Sequence, residues 1–454
     1  MTTKAELDIN SYIHPQSNLT AQEKFGPMII EGGEGVHVFD DQGNKYLDSV
    51  AGLWCVTLGY NNQAIKDAAA KQMDELPYFQ TFANKSNNPT IELAAKLLEV
   101  APVPMSKVIF QNSGSEAVDT AIKLVWYYQN AKGKTGKKKI IGRHGSYHGT
   151  TIAAASLTGL PLMHAQFDLP IEGILHTDNP NFYRFANEGE TEIEFADRCV
   201  ENLEKQILQE DPDTIAAFFA EPVMGTGGVI VPPDTYFEKL QKVLKKYDIL
   251  LIADEVICGF GRTGNYWGCE TYGIKPDMIT CAKGLSSAYL PISALLVSEQ
   301  IYQAMKKGSD KVGIFGHGYT YSGHPVCAAV ALETLNQYDE LNTLDNIKKV
   351  APLFQQGLHS FKNHSLVGDV RGVGLMASIE LVKDKKTKDG FDPALMMGRK
   401  VEDAALSHGL ILRALGNTLV FAPPFIISKD EVEKIIEIVG LSLNEVLSWY
   451  EENS

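Results

Sequence analysis

LLIADEVICGFGRTG occupies residues 250–264 and PDMITCAKGLSSA residues 276–288, and their reading decides the fold. Each opens on a short apolar run, too hydrophobic for a surface strand, and delivers one charge at its end. Asp254 follows LLIA, and Lys283 follows DMITCA. A charge at the end of a buried strand must be paired or put to use, because an isolated buried charge is costly. One reading is a structural ion pair between the two. The glycine-rich stretches DEVICGFGRTG and AKGLSSA leave the backbone open around both charges, which a stabilising ion pair does not need. That openness favours a site.

Working outward, further short apolar runs predict strands: KVIF (107–110), KKII (138–141), TIAAFF (214–219), ILLIA (249–253), DMIT (277–280) and ISALLV (292–297). Helical stretches separate them. One runs over Ser115–Gln129, and in another Phe237, Leu240, Val243 and Leu244 share a face. Apolar strands bracketed by helices predict an α/β fold with a mainly parallel sheet covered on both faces. We place this large domain at residues 60–325. Residues 35–48 (GVHVFDDQGNKYLD) read as a β-hairpin turning on Asp-Asp-Gln-Gly. Beyond residue 330 come helices, then RGVGLMASIEL (371–381) as one strand, LILRAL (410–415) and TLVFAPP (418–424) as two more, and a last helix from Lys429. These predict a smaller α+β domain over 326–454, completed by the N-terminal segment 1–59.

The bulk properties narrow the function. Lysine and arginine number 41 against 56 acids, a net charge of −15, and an acidic surface repels nucleic acid and anionic membranes. The lysines between Lys132 and Lys139 are interrupted by glycines and read as a solvated loop. No apolar stretch approaches the roughly 18 residues of a membrane span, and MTTKAELDIN carries acids where a secretory signal is apolar. Six scattered cysteines form no CxxC pair, as expected of reduced thiols in a cytoplasmic protein. His144 and His148 are four apart, but Gly145 and Gly149 argue against a helical metal site, and no metal is expected.

The chemistry rests on a few positions. A partly desolvated lysine loses its proton readily and forms a Schiff base with an aldehyde. A carboxylate facing the nitrogen of pyridoxal phosphate keeps that ring an electron sink. NSGSEA (112–117) lies between a strand and a helix start. It reads either as simple capping or, beside Lys283 and Asp254, as a phosphate site of first-turn N–H groups with the Ser115 hydroxyl. Tyr147 in RHGSYHG ends a buried strand and suits either core packing or stacking on a flat ring. Glu221 in AEPV is a buried acid that needs a partner, and Thr320 in HGYTYSGHP offers a second phosphate ligand.

These residues closely resemble the signature of class III aminotransferases, pyridoxal-phosphate enzymes of fold type I. The likeness runs from GLWCV (52–56) to APPF (422–425), with NSGSEA, Tyr147-His148, AEPV and TYSGHP in the family's order. Most similar are the ω-transaminases that use pyruvate as amino acceptor. The resemblance implies that pyridoxal 5'-phosphate is carried by Lys283, which then moves the proton, and that Asp254 pairs with the ring nitrogen. Val256 and Tyr147 would cover the two ring faces, with Glu221 supporting Asp254. Gly114, Ser115 and, from the other subunit of a homodimer, Thr320 would hold the phosphate. Trp54, Phe79 and Phe82 match the family's aromatic pocket wall, and Arg413 the mobile arginine that admits a keto acid or an amine in turn. Two departures leave the amine open. Ala83 stands where some aryl-amine enzymes carry an aromatic, and Thr226 replaces a smaller residue. Putrescine or another ω-amine is the expected donor, with β-alanine, taurine, or mutase and decarboxylase chemistry as alternatives.

Overall fold

Strands on successive buried runs explain the architecture. In Ile215–Ala220 and Leu250–Asp254 every residue is buried, and alternate side chains enter different cores. Phe218, Leu251 and Ala253 pack into the larger one, Phe219, Leu250 and Ile252 into a second with helix Gly114–Ala131. Two apolar faces per strand require cover on both sides, which helices supply. The computed structural model describes residues 2–453.

Three strands come first: β1 (Ile30–Glu34), β2 (His37–Asp40) and β3 (Lys45–Asp48). Then follow β4 (Lys107–Gln111), β5 (Lys139–Arg143), β6 (Ile174–Thr177), β7 (Ile215–Ala220), β8 (Leu250–Asp254), β9 (Met278–Cys281) and β10 (Ser293–Val297). The last five are β11 (Val367–Val373), β12 (Met376–Leu381), β13 (Leu410–Ile411), β14 (Arg413–Leu415) and β15 (Thr418–Phe421). The central sheet has seven strands in the order β4-β10-β9-β8-β7-β5-β6. β10 alone runs opposite to the other six strands. Because β10 separates β4 from β9, the C-terminal ends of β4, β5, β7, β8 and β9 all open on one edge.

The expected α/β architecture with a mainly parallel sheet is therefore present. The hairpin is present too, its turn held by Asp40, whose Oδ1 accepts from the Gln42 and Asn44 amides at 3.0 and 2.8 Å. In the first small sheet β13 pairs in parallel with β3, joining the two ends of the chain. RGVGLMASIEL is not one strand. It spans β11 and β12, antiparallel partners that turn at Gly374 (φ +56°). The run carries no Asn, Asp or Pro to mark the turn, so its apolarity reads as continuous. β1 and β6 were not expected; both are short, and neither shows the apolar run that marks the buried strands.

Candidate active site

Five strand ends of the central sheet deliver Ser115, Tyr147, Glu221, Asp254 and Lys283 to one cavity of about 420 Å3. This is where parallel sheets place ligand sites, at the C-terminal ends of their strands. Gly114, Val256, Trp54, Thr226 and Arg413 line the same cavity.

At its floor Asp254 is only 3% exposed. Its Oδ1 accepts from the Val256 amide and the Thr280 hydroxyl, both at 3.1 Å, and its Oδ2 meets His148 Nδ1 at 2.7 Å. Three partners leave room on a carboxylate that can accept about four hydrogen bonds. The anticipated alternative, an Asp254–Lys283 ion pair, does not form. Among the described residues the Lys283 side-chain amine has no hydrogen-bond or ion-pair partner, and burial lowers its pKa against the opposing charge of Asp254. Its backbone is left-handed (φ +45°), a conformation costing a non-glycine residue about 1–3 kcal/mol, held here at the functional end of β9.

Glu221 is equally buried, and burial raises its pKa. Its two oxygens accept backbone amides, Tyr147 N at 3.0 Å and Gly225 N at 2.9 Å, so this acid is satisfied without touching Asp254 directly.

The anion cradle forms where β4 meets helix Gly114–Ala131. Ser113 is the N-cap, its Oγ accepting from the Glu116 amide at 3.2 Å while Glu116 Oε2 accepts from the Ser113 amide at 3.1 Å. Capping is thus done by Ser113, which leaves Ser115 for another use. The N–H groups of Gly114 and Ser115 have no carbonyl four residues back within the helix. Ser115 Oγ accepts from the Thr150 amide at 3.0 Å, which leaves its own hydrogen to donate. A Cβ at Gly114 would lie 3.1 Å from Val256 Cγ1, so glycine is what lets the helix start approach the cavity floor. A carboxylate, a deprotonatable amine and an anion cradle around a slot lined by Tyr147 and Val256 fit a phosphorylated pyridine aldehyde.

Phe79, Phe82 and Thr320 lie elsewhere. Both phenylalanines are 48% exposed and Thr320 is exposed as well; none lines the cavity within one chain. They share a surface, where the Tyr78 hydroxyl donates to Thr320 O at 2.8 Å and Thr81 Oγ1 to Ser322 O at 3.0 Å. Of the cavity residues that had no role in the sequence reading, two matter here. His148 drew attention only beside Tyr147 and as a rejected metal partner of His144, because its contact with Asp254 spans 106 residues. Gln16, from the polar loop between helices Lys4–Ser11 and Leu19–Phe25, lines the cavity with Tyr147 and gave no signal at all.

The fold and this donor set define a pyridoxal-phosphate-dependent aminotransferase. The class III aminotransferase model matches residues 19–443, and the chain belongs to that family. It is 50% identical over 427 residues to gamma aminobutyrate transaminase 3, chloroplastic, of Solanum lycopersicum, an alignment covering 94% of this chain and 82% of that protein. The omega transaminase of Pseudomonas jessenii in complex with PMP superposes with a TM-score of 0.97 at 50% identity, over 98% of this chain and 99% of that one. Similar to the same degree (TM-score 0.97, 49% identity, 98% and 100% covered) is a thermostable omega transaminase variant. It was engineered for asymmetric synthesis of enantiopure bulky amines by changing a tryptophan, a phenylalanine and an arginine.

Proposed function

We propose that this aminotransferase moves the amino group of a primary ω-amine, a diamine such as putrescine, to pyruvate in two half-reactions on pyridoxal 5'-phosphate. One observation carries the reading. Arg413 lines the cavity half-buried, and among the described residues its guanidinium has no hydrogen bond and no ion pair. Burial lowers its pKa, opposed by the charge of Glu402. A buried cation kept without a partner is costly, so it suits a ligand carboxylate that arrives and leaves. Arg413 starts β14, the edge strand of its sheet, which leaves the long side chain free to swing aside for an amine without an acid.

The bound cofactor supplies an electron sink that acidifies the carbon bearing the amino group. Lys283 holds it and moves the proton, starting from the neutral amine that burial favours. Asp254, oriented by His148 and Thr280, keeps the ring nitrogen protonated. Tyr147 and Val256 would flank the ring, Gly114 and Ser115 would hold the phosphate, and Glu221 fixes the Tyr147 backbone. Thr320, Phe79 and Phe82 serve the site of a second subunit, which accounts for their exposure outside this chain's own cavity. No helix among the described residues is long and apolar enough to cross a membrane, and none of the six cysteines is in a disulfide. We place the protein in the cytoplasm on the second fact.

A second reading is an ω-amino acid donor such as β-alanine, taurine or γ-aminobutyrate. The relatives' names and the same arginine favour it, because such donors bring their own acid. A donor panel with pyruvate tests both. Faster turnover of putrescine than of any ω-amino acid supports the first reading, and the reverse order replaces it with the second.

A further inference from the structure

Thr226 reaches the cavity from a short loop after β7, and that loop is fixed from both sides by charged groups. On one side the Gly225 amide donates to Glu221 Oε2 at 2.9 Å. On the other, the Gly228 carbonyl accepts three hydrogen bonds: Arg371 Nε at 2.9 Å, Arg371 Nη2 at 2.7 Å and Ser378 Oγ at 2.9 Å. A carbonyl oxygen has two lone pairs, so this one is saturated, and by charge-assisted donors. Between the two anchors Gly227 leaves no slack. A Cβ there would lie 2.2 Å from Gly145 O.

Arg371 is itself held. Its Nη1 donates to Asp369 at 2.9 Å and to Glu380 at 2.6 Å, and Glu380 also pairs with Arg184. Asp369 and Arg371 lie on β11 and Glu380 on β12, so the hairpin after residue 366 determines where a cavity wall residue stands. Arg371 does not line the cavity.

We propose that Arg371 is a positioning residue for substrate size: through Gly228 it holds Thr226 against the cavity and limits the bulk an amine donor carries on that side. The proposal rests on amino transfer at Lys283. Removing the two arginine donors leaves Gly228 with Ser378 alone, so that end of the loop can retreat and enlarge the space beside Thr226, while the Gly225–Glu221 hydrogen bond keeps the cofactor side in place.

The test reads single-turnover bleaching of the cofactor-loaded protein by 1-propylamine and by 1-phenylethylamine, a half-reaction that needs no pyruvate. In Arg371→Gln the ratio of branched to linear rates should rise about tenfold, the scale of a group-sized change in an apolar pocket. Cofactor absorbance and affinity should stay as in the parent. Arg371→Lys keeps the charge but loses the fork; it should fall between and supplies the answer if Arg371→Gln does not fold. Thr226→Ala should raise the ratio similarly, and Arg371→Gln should add little on top of it, since both act on one wall. An unchanged ratio in both arginine variants, or effects that simply add to Thr226→Ala, overturns the proposal. Failure of pyruvate to restore the colour would count against the pyruvate reading alone.

Discussion

The cavity floor and the surface around Thr320 were expected to serve one cofactor, yet they are built in opposite ways. The floor gathers Asp254, Glu221 and His148, each 3% exposed, on the ends of β8, β7 and β5, with every carboxylate oxygen hydrogen-bonded. The loop surface holds Phe79, Phe82 and Thr320 in the open, with aromatic rings facing solvent. Burial makes the floor's electrostatics strong and its geometry independent of any partner. Large aromatics exposed on adjoining loops are what an interaction surface presents. On the proposed reading the first region carries the chemistry and the second completes the site of another subunit.

Substitutions that separate the two regions rank by expected effect. Lys283→Ala should abolish turnover in steady-state assays while circular dichroism stays native; retained activity would break the account of the floor. Asp254→Asn should lower kcat by about 10²–10³-fold, the usual loss when a preorganised electrostatic partner is removed. Arg413→Ala should raise the KM for pyruvate by about 10–100-fold, the worth of charged hydrogen bonds to a carboxylate, and leave bleaching by putrescine within about twofold. Thr320→Ala should weaken cofactor retention about tenfold, as one lost phosphate contact does. Mixing Thr320→Ala chains with Lys283→Ala chains should then restore activity, because a mixed pair contains one intact site. No recovery on mixing would show that the loop surface does not serve a second subunit.

The smallest effect is on stability. Glu255 is fully buried beside Asp254, accepts the Gly268 and Cys269 amides at 3.0 and 2.6 Å, and has its pKa pushed up to about 7 by burial. A carboxyl that binds its proton more tightly when folded stabilises the protein at low pH. That contribution fades as pH rises from the unfolded value near 4.5 through about 7. Glu255→Gln, which stays neutral, should gain about 2–4 °C in Tm on the parent protein between pH 5 and 8 in thermal melts. A constant Tm difference would contradict the assignment.

How much of this was legible depends on what each residue's neighbours announce. β7, β8 and β9 are continuous apolar runs, so Asp254 and Lys283 stood out as charges at buried strand ends. Ser115 was legible within a turn that could cap a helix or hold a phosphate, and the structure shows that Ser113 does the capping. The β11–β12 turn was hidden because only Gly374 and Leu375 make it, inside an otherwise apolar run. The antiparallel direction of β10 leaves no trace in composition, since a strand buried on both faces looks the same either way. Arg371 was invisible for another reason. Its target is a backbone carbonyl 143 residues away, and a carbonyl has no side-chain signature.

The most direct test of the central claim, that Lys283 and its floor run amino transfer between an amine and a keto acid, is the visible spectrum of the cofactor-loaded protein. Putrescine alone should bleach the yellow band, and pyruvate added after removal of the amine should restore it, through repeated cycles. A band that no amine in the donor panel changes while pyridoxal phosphate remains bound, or product formed continuously without pyruvate, would contradict it.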